Sequence, residues 1–142
     1  MSQLQSITQS TERKFKVLLV DDNDAFRDMI TAQLEVFGCS VKSAGTASGF
    51  LATLIEANDR FDFAVIDYRL PDLNGDHIVT WLEQSEQETV HSLPILVVTG
   101  HPDALPDVLL ETDRNVAVLA KPYRIHDLAK SVTDLMARGL RH

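Results

Sequence analysis

Three aspartates, a threonine and a lysine stand where the apolar runs of this chain end. Asp21 and Asp22 follow Lys16–Val20, Asp67 closes Phe63–Asp67, Thr99 closes Leu93–Thr99, and Lys121 comes directly after Val116–Ala120. Short apolar runs bounded by polar residues have the pattern of strands covered on both faces. If they are parallel strands of one sheet, their C-terminal ends share a rim, and residues about a hundred positions apart meet there. Neighbouring carboxylates repel one another, and a hard divalent cation relieves that repulsion. Mg²⁺ suits such a site, because it takes a few carboxylates and keeps several waters. A cation so held also offsets the charge of a transferring phosphoryl group. A carboxylate such as Asp67 can act as nucleophile and form an aspartyl phosphate. The Thr99 hydroxyl can donate to one phosphoryl oxygen while the Lys121 ammonium pairs with another.

Each residue also has a plainer role. An acid after a strand often caps the next helix, and Asn23 or Asp24 could fill that position alone. Thr99 could be a turn residue and Lys121 an exposed charge. The ordered occurrence of matching residue types at four strand ends favours the shared pocket.

The intervening segments supply the elements that a parallel sheet requires. Phe26, Met29, Ile30, Leu34 and Phe37 share a helical face, and Gly38 is placed to end that helix. Ser40–Ser43 reads as a short strand. Thr46 can cap a helix whose face is Ala47, Phe50, Leu51, Leu54 and Ile55. Turn chemistry from Pro71 to Gly75 precedes a third helix marked by Ile78, Trp81 and Leu82. Pro94 sits at a strand entrance, where its missing N–H does little harm. A fourth helix is expected to begin around Pro106, since proline suits a first turn. Ile125, Leu128, Ala129, Val132, Leu135 and Met136 form the stripe of a fifth. Strands alternating with helices in this way imply an α/β fold: one doubly wound, five-stranded parallel sheet flanked by five helices.

The whole-chain numbers narrow the function classes. At 142 residues, 44% hydrophobic and 24% charged, the chain has the composition of one globular domain. No apolar run approaches the roughly 20 residues that span a bilayer. The polar start, Met1–Arg13, lacks the apolar core of a secretory signal. The single cysteine, Cys39, excludes an internal disulfide and reads as a small residue entering a strand. A cytoplasmic location is expected. The net charge of −8, with scattered basic residues, argues against direct nucleic-acid binding. Residues 1–14 read as a flexible arm, 15–137 as the domain and 138–142 as a short tail. His77, His91, His101, His126 and His142 show no metal-ligand spacing.

Four motifs together resemble the receiver domain of two-component response regulators: Val17-Leu-Leu-Val-Asp-Asp-Asn23, Val65-Ile-Asp-Tyr-Arg-Leu-Pro-Asp-Leu-Asn-Gly75, Val97-Val-Thr-Gly100 and Ala120-Lys-Pro-Tyr123. The resemblance runs from about Phe15 to Met136 with the motifs in the family's order. It implies a flavodoxin-like receiver fold and phosphoryl transfer to Asp67 from a histidine kinase or histidine phosphotransfer protein. It further implies Mg²⁺ held by Asp22, by Asp67 and by the backbone carbonyl of Arg69, with Asp21 acting largely through water. Thr99 would be the switch hydroxyl and Lys121 the phosphate-pairing lysine. The Arg69 side chain would lie at the pocket mouth, where it either governs water access or is a plain surface group. Such a domain is a phosphoaccepting signalling module rather than an enzyme, and its output passes through protein–protein contacts.

One position departs from the family pattern. Three residues before the lysine, where an aromatic residue is usual, stands Val118. Valine has no ring to turn inward and is stiff about χ1. Signalling without the aromatic switch is therefore expected, and a rotamer-driven move centred on Val118 in a beryllofluoride complex would contradict it. Two other functions stay open on the residues alone. Asp22-Asn-Asp24 after a strand also resembles the first motif of haloacid dehalogenase-type phosphatases, although only Asp127 and Asp134 follow Lys121 as further acids. A receiver fold that docks without being phosphorylated is the other.

Overall fold

The computed structural model describes residues 14–56, 61–67, 80, 82, 84, 92–105 and 115–139. Its elements in chain order are β1 (Phe15–Val20), α1 (Asp24–Val36), β2 (Cys39–Ala44), α2 (Ala47–Glu56), β3 (Phe63–Asp67), β4 (Ile95–Thr99), a 3₁₀ turn (Pro102–Ala104), β5 (Val116–Ala120) and α3 (Ile125–Gly139). The strands form one sheet in the order β2-β1-β3-β4-β5, with every pair parallel. Three α-helices are present among the described residues. The two further helices expected around Ile78–Leu82 and from Pro106 fall largely outside those residues.

The three central strands are buried along nearly their whole length, as continuous Val, Leu and Ile runs require. Alternate residues serve opposite faces. Val17, Leu19, Phe63, Val65, Leu96 and Val98 pack with Ile30 and Leu34 of α1 and Leu128, Val132 and Leu135 of α3. Leu18, Val20, Ala64, Ile66, Ile95 and Val97 pack with Ala47, Phe50 and Leu54 of α2. Truncating a fully buried leucine such as Leu34 to alanine would cost roughly 2–5 kcal/mol, through lost transfer energy and the cavity left behind.

Local chemistry sets the helix limits. The Asn23 side chain accepts from the Phe26 N–H and caps α1. Gly38, at φ 88°, adopts the left-handed conformation that ends the same helix. The Thr46 hydroxyl accepts from the Gly49 N–H at 3.0 Å and caps α2. The helical faces are narrower than their apolar spacing suggests. Met29 and Ile55 are exposed, because each lies at the margin of a stripe whose centre already fills the space against the sheet, whereas Ile125, in mid-stripe, is exposed as the first residue of α3.

Candidate functional site

The sheet order reverses at β1 and β3, which lie side by side while their chain connections run in opposite directions. In their register Val20 stands opposite Ile66, so the next residues, Asp21 and Asp67, emerge together at the carboxyl edge. Asp21 is almost fully buried and well anchored. Its N–H donates to the Ala44 carbonyl at 3.2 Å, and its Oδ1 accepts from the Asn23 N–H at 2.9 Å. Its carbonyl accepts from Arg27 Nη1 at 2.8 Å. Gly45 makes room for that guanidinium, since a Cβ there would lie 3.2 Å from Nη1. Because Asn23 supplies the cap, neither Asp21 nor Asp22 is needed for it.

One carboxylate oxygen from each of Asp21, Asp22 and Asp67 lies within 4.8 Å of the other two. Asp21 is buried, Asp67 half-buried and Asp22 exposed, so the cluster opens to solvent on one side. An all-oxygen, all-carboxylate donor set of this size fits a hard divalent cation. Asp24, the second acid of Asp22-Asn-Asp24, instead points at Arg27, with which it forms an ion pair.

Lys121 Nζ lies 3.7 Å from Asp67 Oδ2, close enough for strong Coulombic attraction but beyond a hydrogen bond. The Lys121 N–H donates to the Thr99 carbonyl at 2.7 Å, which ties β4 to the turn carrying the lysine. The Lys121–Pro122 peptide is cis. Thr99 is buried, and its Oγ1 accepts from the His101 N–H at 3.0 Å, leaving the hydroxyl hydrogen to donate elsewhere. The structure thus brings Asp21, Asp22, Asp67 and Lys121 together and sets Thr99 next to them in register. Arg69 lies outside the described residues.

One contact of the rim has no signature in the sequence. The Phe26 ring carries Lys121 Nζ 4.2 Å from its centroid, although the two residues come from opposite ends of the chain. Tyr123 stands perpendicular to Phe26, with centroids 6.2 Å apart, and its hydroxyl donates to Gln33 Oε1 at 2.7 Å. Burial, with the Asp21 charge adding to it, pushes the Tyr123 phenol up to about 12. At the far end of the sheet, burial and then the Asp62 charge push the Cys39 thiol up to about 12 as well, so it behaves as a small apolar side chain.

Strand order and rim together define an α/β protein of the flavodoxin-like type with an acidic pocket at its switch point. The family model for the response regulator receiver domain matches residues 17–133, and the chain belongs to that family of two-component signalling domains. Among curated proteins, the response regulator MprA of Mycobacterium leprae is 31% identical over 124 residues, covering 87% of this chain and 51% of MprA. The transcriptional regulatory protein GltR of Pseudomonas aeruginosa is 26% identical over 130 residues, covering 87% of this chain and 49% of GltR. The chain therefore spans about half the length of the curated relatives it matches. The chemotaxis response regulator CheY4 of Vibrio cholerae superposes with a TM-score of 0.75 at 25% identity, covering 87% of this chain and 99% of that one. A putative response regulator from Chloroflexus aurantiacus gives 0.76 at 25% identity, covering 88% and 99%.

Proposed function

We propose that this chain receives a phosphoryl group on Asp67 from the phosphohistidine of a histidine kinase or histidine phosphotransfer protein, and signals through protein–protein contacts. The observation that carries this reading is the convergence of the Asp21, Asp22 and Asp67 carboxylates within 4.8 Å, with Lys121 at 3.7 Å from Asp67. In the step proposed, an Asp67 oxygen attacks phosphorus as the bond from phosphorus to imidazole nitrogen breaks. The electron pair of that bond leaves on the imidazole, which takes a proton from solvent. The Lys121 ammonium and the Thr99 hydroxyl stabilise charge on the transferred oxygens. Asp21, Asp22, Asp67 and the Arg69 carbonyl would hold Mg²⁺, which when bound offsets the charge of carboxylates and phosphoryl oxygens alike.

The parallel pairing of β3 with β4 and of β4 with β5 supports two more crossover helices, completing five. The receiver unit proposed is 15–137, with an arm at 1–14 and a tail at 138–142, and α3 runs two residues past that boundary, to Gly139. No described helix is long and apolar enough to cross a membrane, and a cytoplasmic site of action agrees with the phosphodonor proposed. With a net charge of −8, the output is expected to reach a protein rather than nucleic acid.

Incubation with acetyl phosphate and Mg²⁺, followed by intact-protein mass measurement, tests the assignment. A gain of one phosphoryl group that is lost in Asp67→Asn is expected. No gain, or a gain that survives the substitution, would overturn it.

A further inference from the structure

Lys121 has two neighbours on the rim, and they differ in kind. One is the Asp67 carboxylate at 3.7 Å, and the other is the face of Phe26 at 4.2 Å from its centroid. A lysine ammonium ends a flexible four-carbon stem and carries no fixed geometry of its own. At 27% side-chain exposure, with solvent on one side, it would sample many rotamers if the carboxylate alone held it. An aromatic face within about 6 Å attracts the cation through its quadrupole, and does so more strongly where water is partly excluded. The ring is itself fixed. Tyr123 stands at 88° to it, and the Tyr123 hydroxyl is tied to Gln33, on the same helix as Phe26.

We propose that Phe26 is a positioning residue for Lys121: its ring face seats the ammonium on the Asp67 side of the rim. Tyr123 and Gln33 lock the ring in that attitude. Residues 121 and 123 flank Pro122, so one short turn delivers both the cation to the ring and the second ring that braces it. The seat prepares the charge that the phosphoryl oxygens will need, which lowers the reorganisation required when the donor arrives. The kinetic consequence rests on the phosphoacceptor reading of Asp67, whereas the seat itself does not.

The test has two arms on the full chain. In NMR spectra of the unphosphorylated protein, the Lys121 ε-methylene protons should be shifted upfield by the Phe26 ring current. That shift should vanish in Phe26→Leu and persist in Phe26→Tyr. Ordinary lysine shifts in the unaltered protein would overturn the seat, even if Asp67 proved not to be phosphorylated. In the second arm, Phe26 is replaced by mono-, di- and trifluorophenylalanine, which keep the ring's shape but deplete its face. The rate of phosphorylation by acetyl phosphate should fall stepwise, by about three- to tenfold at trifluorination, with the melting temperature unchanged. A rate indifferent to fluorination would show that Phe26 serves only packing and would overturn the proposal.

Discussion

The tip of β1 shows how much of the site rests on single atoms. Asp21 is held through its N–H, its carbonyl and one carboxylate oxygen, by Ala44, Arg27 and Asn23. Its charge reaches as far as Tyr123, whose phenol is pushed up to about 12, first by burial and then by Asp21. The sign follows from linkage. A phenol that holds its proton more tightly when folded gives stability that is complete below the unfolded value, near 10. That stability is lost as pH rises through about 10 to 12. A spectrophotometric titration at the tyrosinate band checks this in the Tyr68→Phe protein, which leaves Tyr123 as the one remaining tyrosine. A midpoint near 12 is expected, and one near 10 would mean that the ring is neither buried nor near Asp21 in solution.

Among the elements, α1 matters most to the site, because its N-terminus carries Asn23 and its first turn carries Phe26 and Arg27. Asn23→Ala removes the cap and should cost about 1 kcal/mol in urea denaturation. It should leave acetyl phosphate labelling intact, because the Asn23 N–H that holds Asp21 belongs to the backbone. Labelling lost along with the stability would make Asn23 part of the site chemistry. The strands and their acidic ends were legible because a doubly covered parallel strand is a run of Val, Leu and Ile that must stop at a polar residue. The Asn23 cap was one of two residues in view, and only the Phe26 N–H bond to its side chain separates it from Asp24. Exposure of Met29 and Ile55 was not legible, since apolar spacing gives a helix's inward direction but not the width of the space it fills. Phe26 above Lys121 was equally hidden: the contact joins residues far apart in sequence, and each alone reads as core or surface.

At the scale of the whole molecule, three carboxylates gathered within 4.8 Å in a chain of net charge −8 are a destabilising concentration of like charge. The fold tolerates it because the sheet core is large and Asp21 is tied into the backbone network. A ligand that binds only the folded state stabilises it by mass action. Mg²⁺ at about ten times its Kd should therefore add about 1.4 kcal/mol, raising Tm by a few degrees for a domain of this size. Asp22→Asn should behave oppositely in the two conditions. Without Mg²⁺ it should melt at the same temperature or slightly higher, since one like charge is gone from the exposed side of the cluster. With Mg²⁺ it should lose most of the added stability. Paired melting curves with EDTA and with Mg²⁺ provide the measurement. An unaltered protein whose Tm ignores Mg²⁺, or an Asp22→Asn protein that keeps the full increment, would show that the carboxylates converge for a reason other than cation binding.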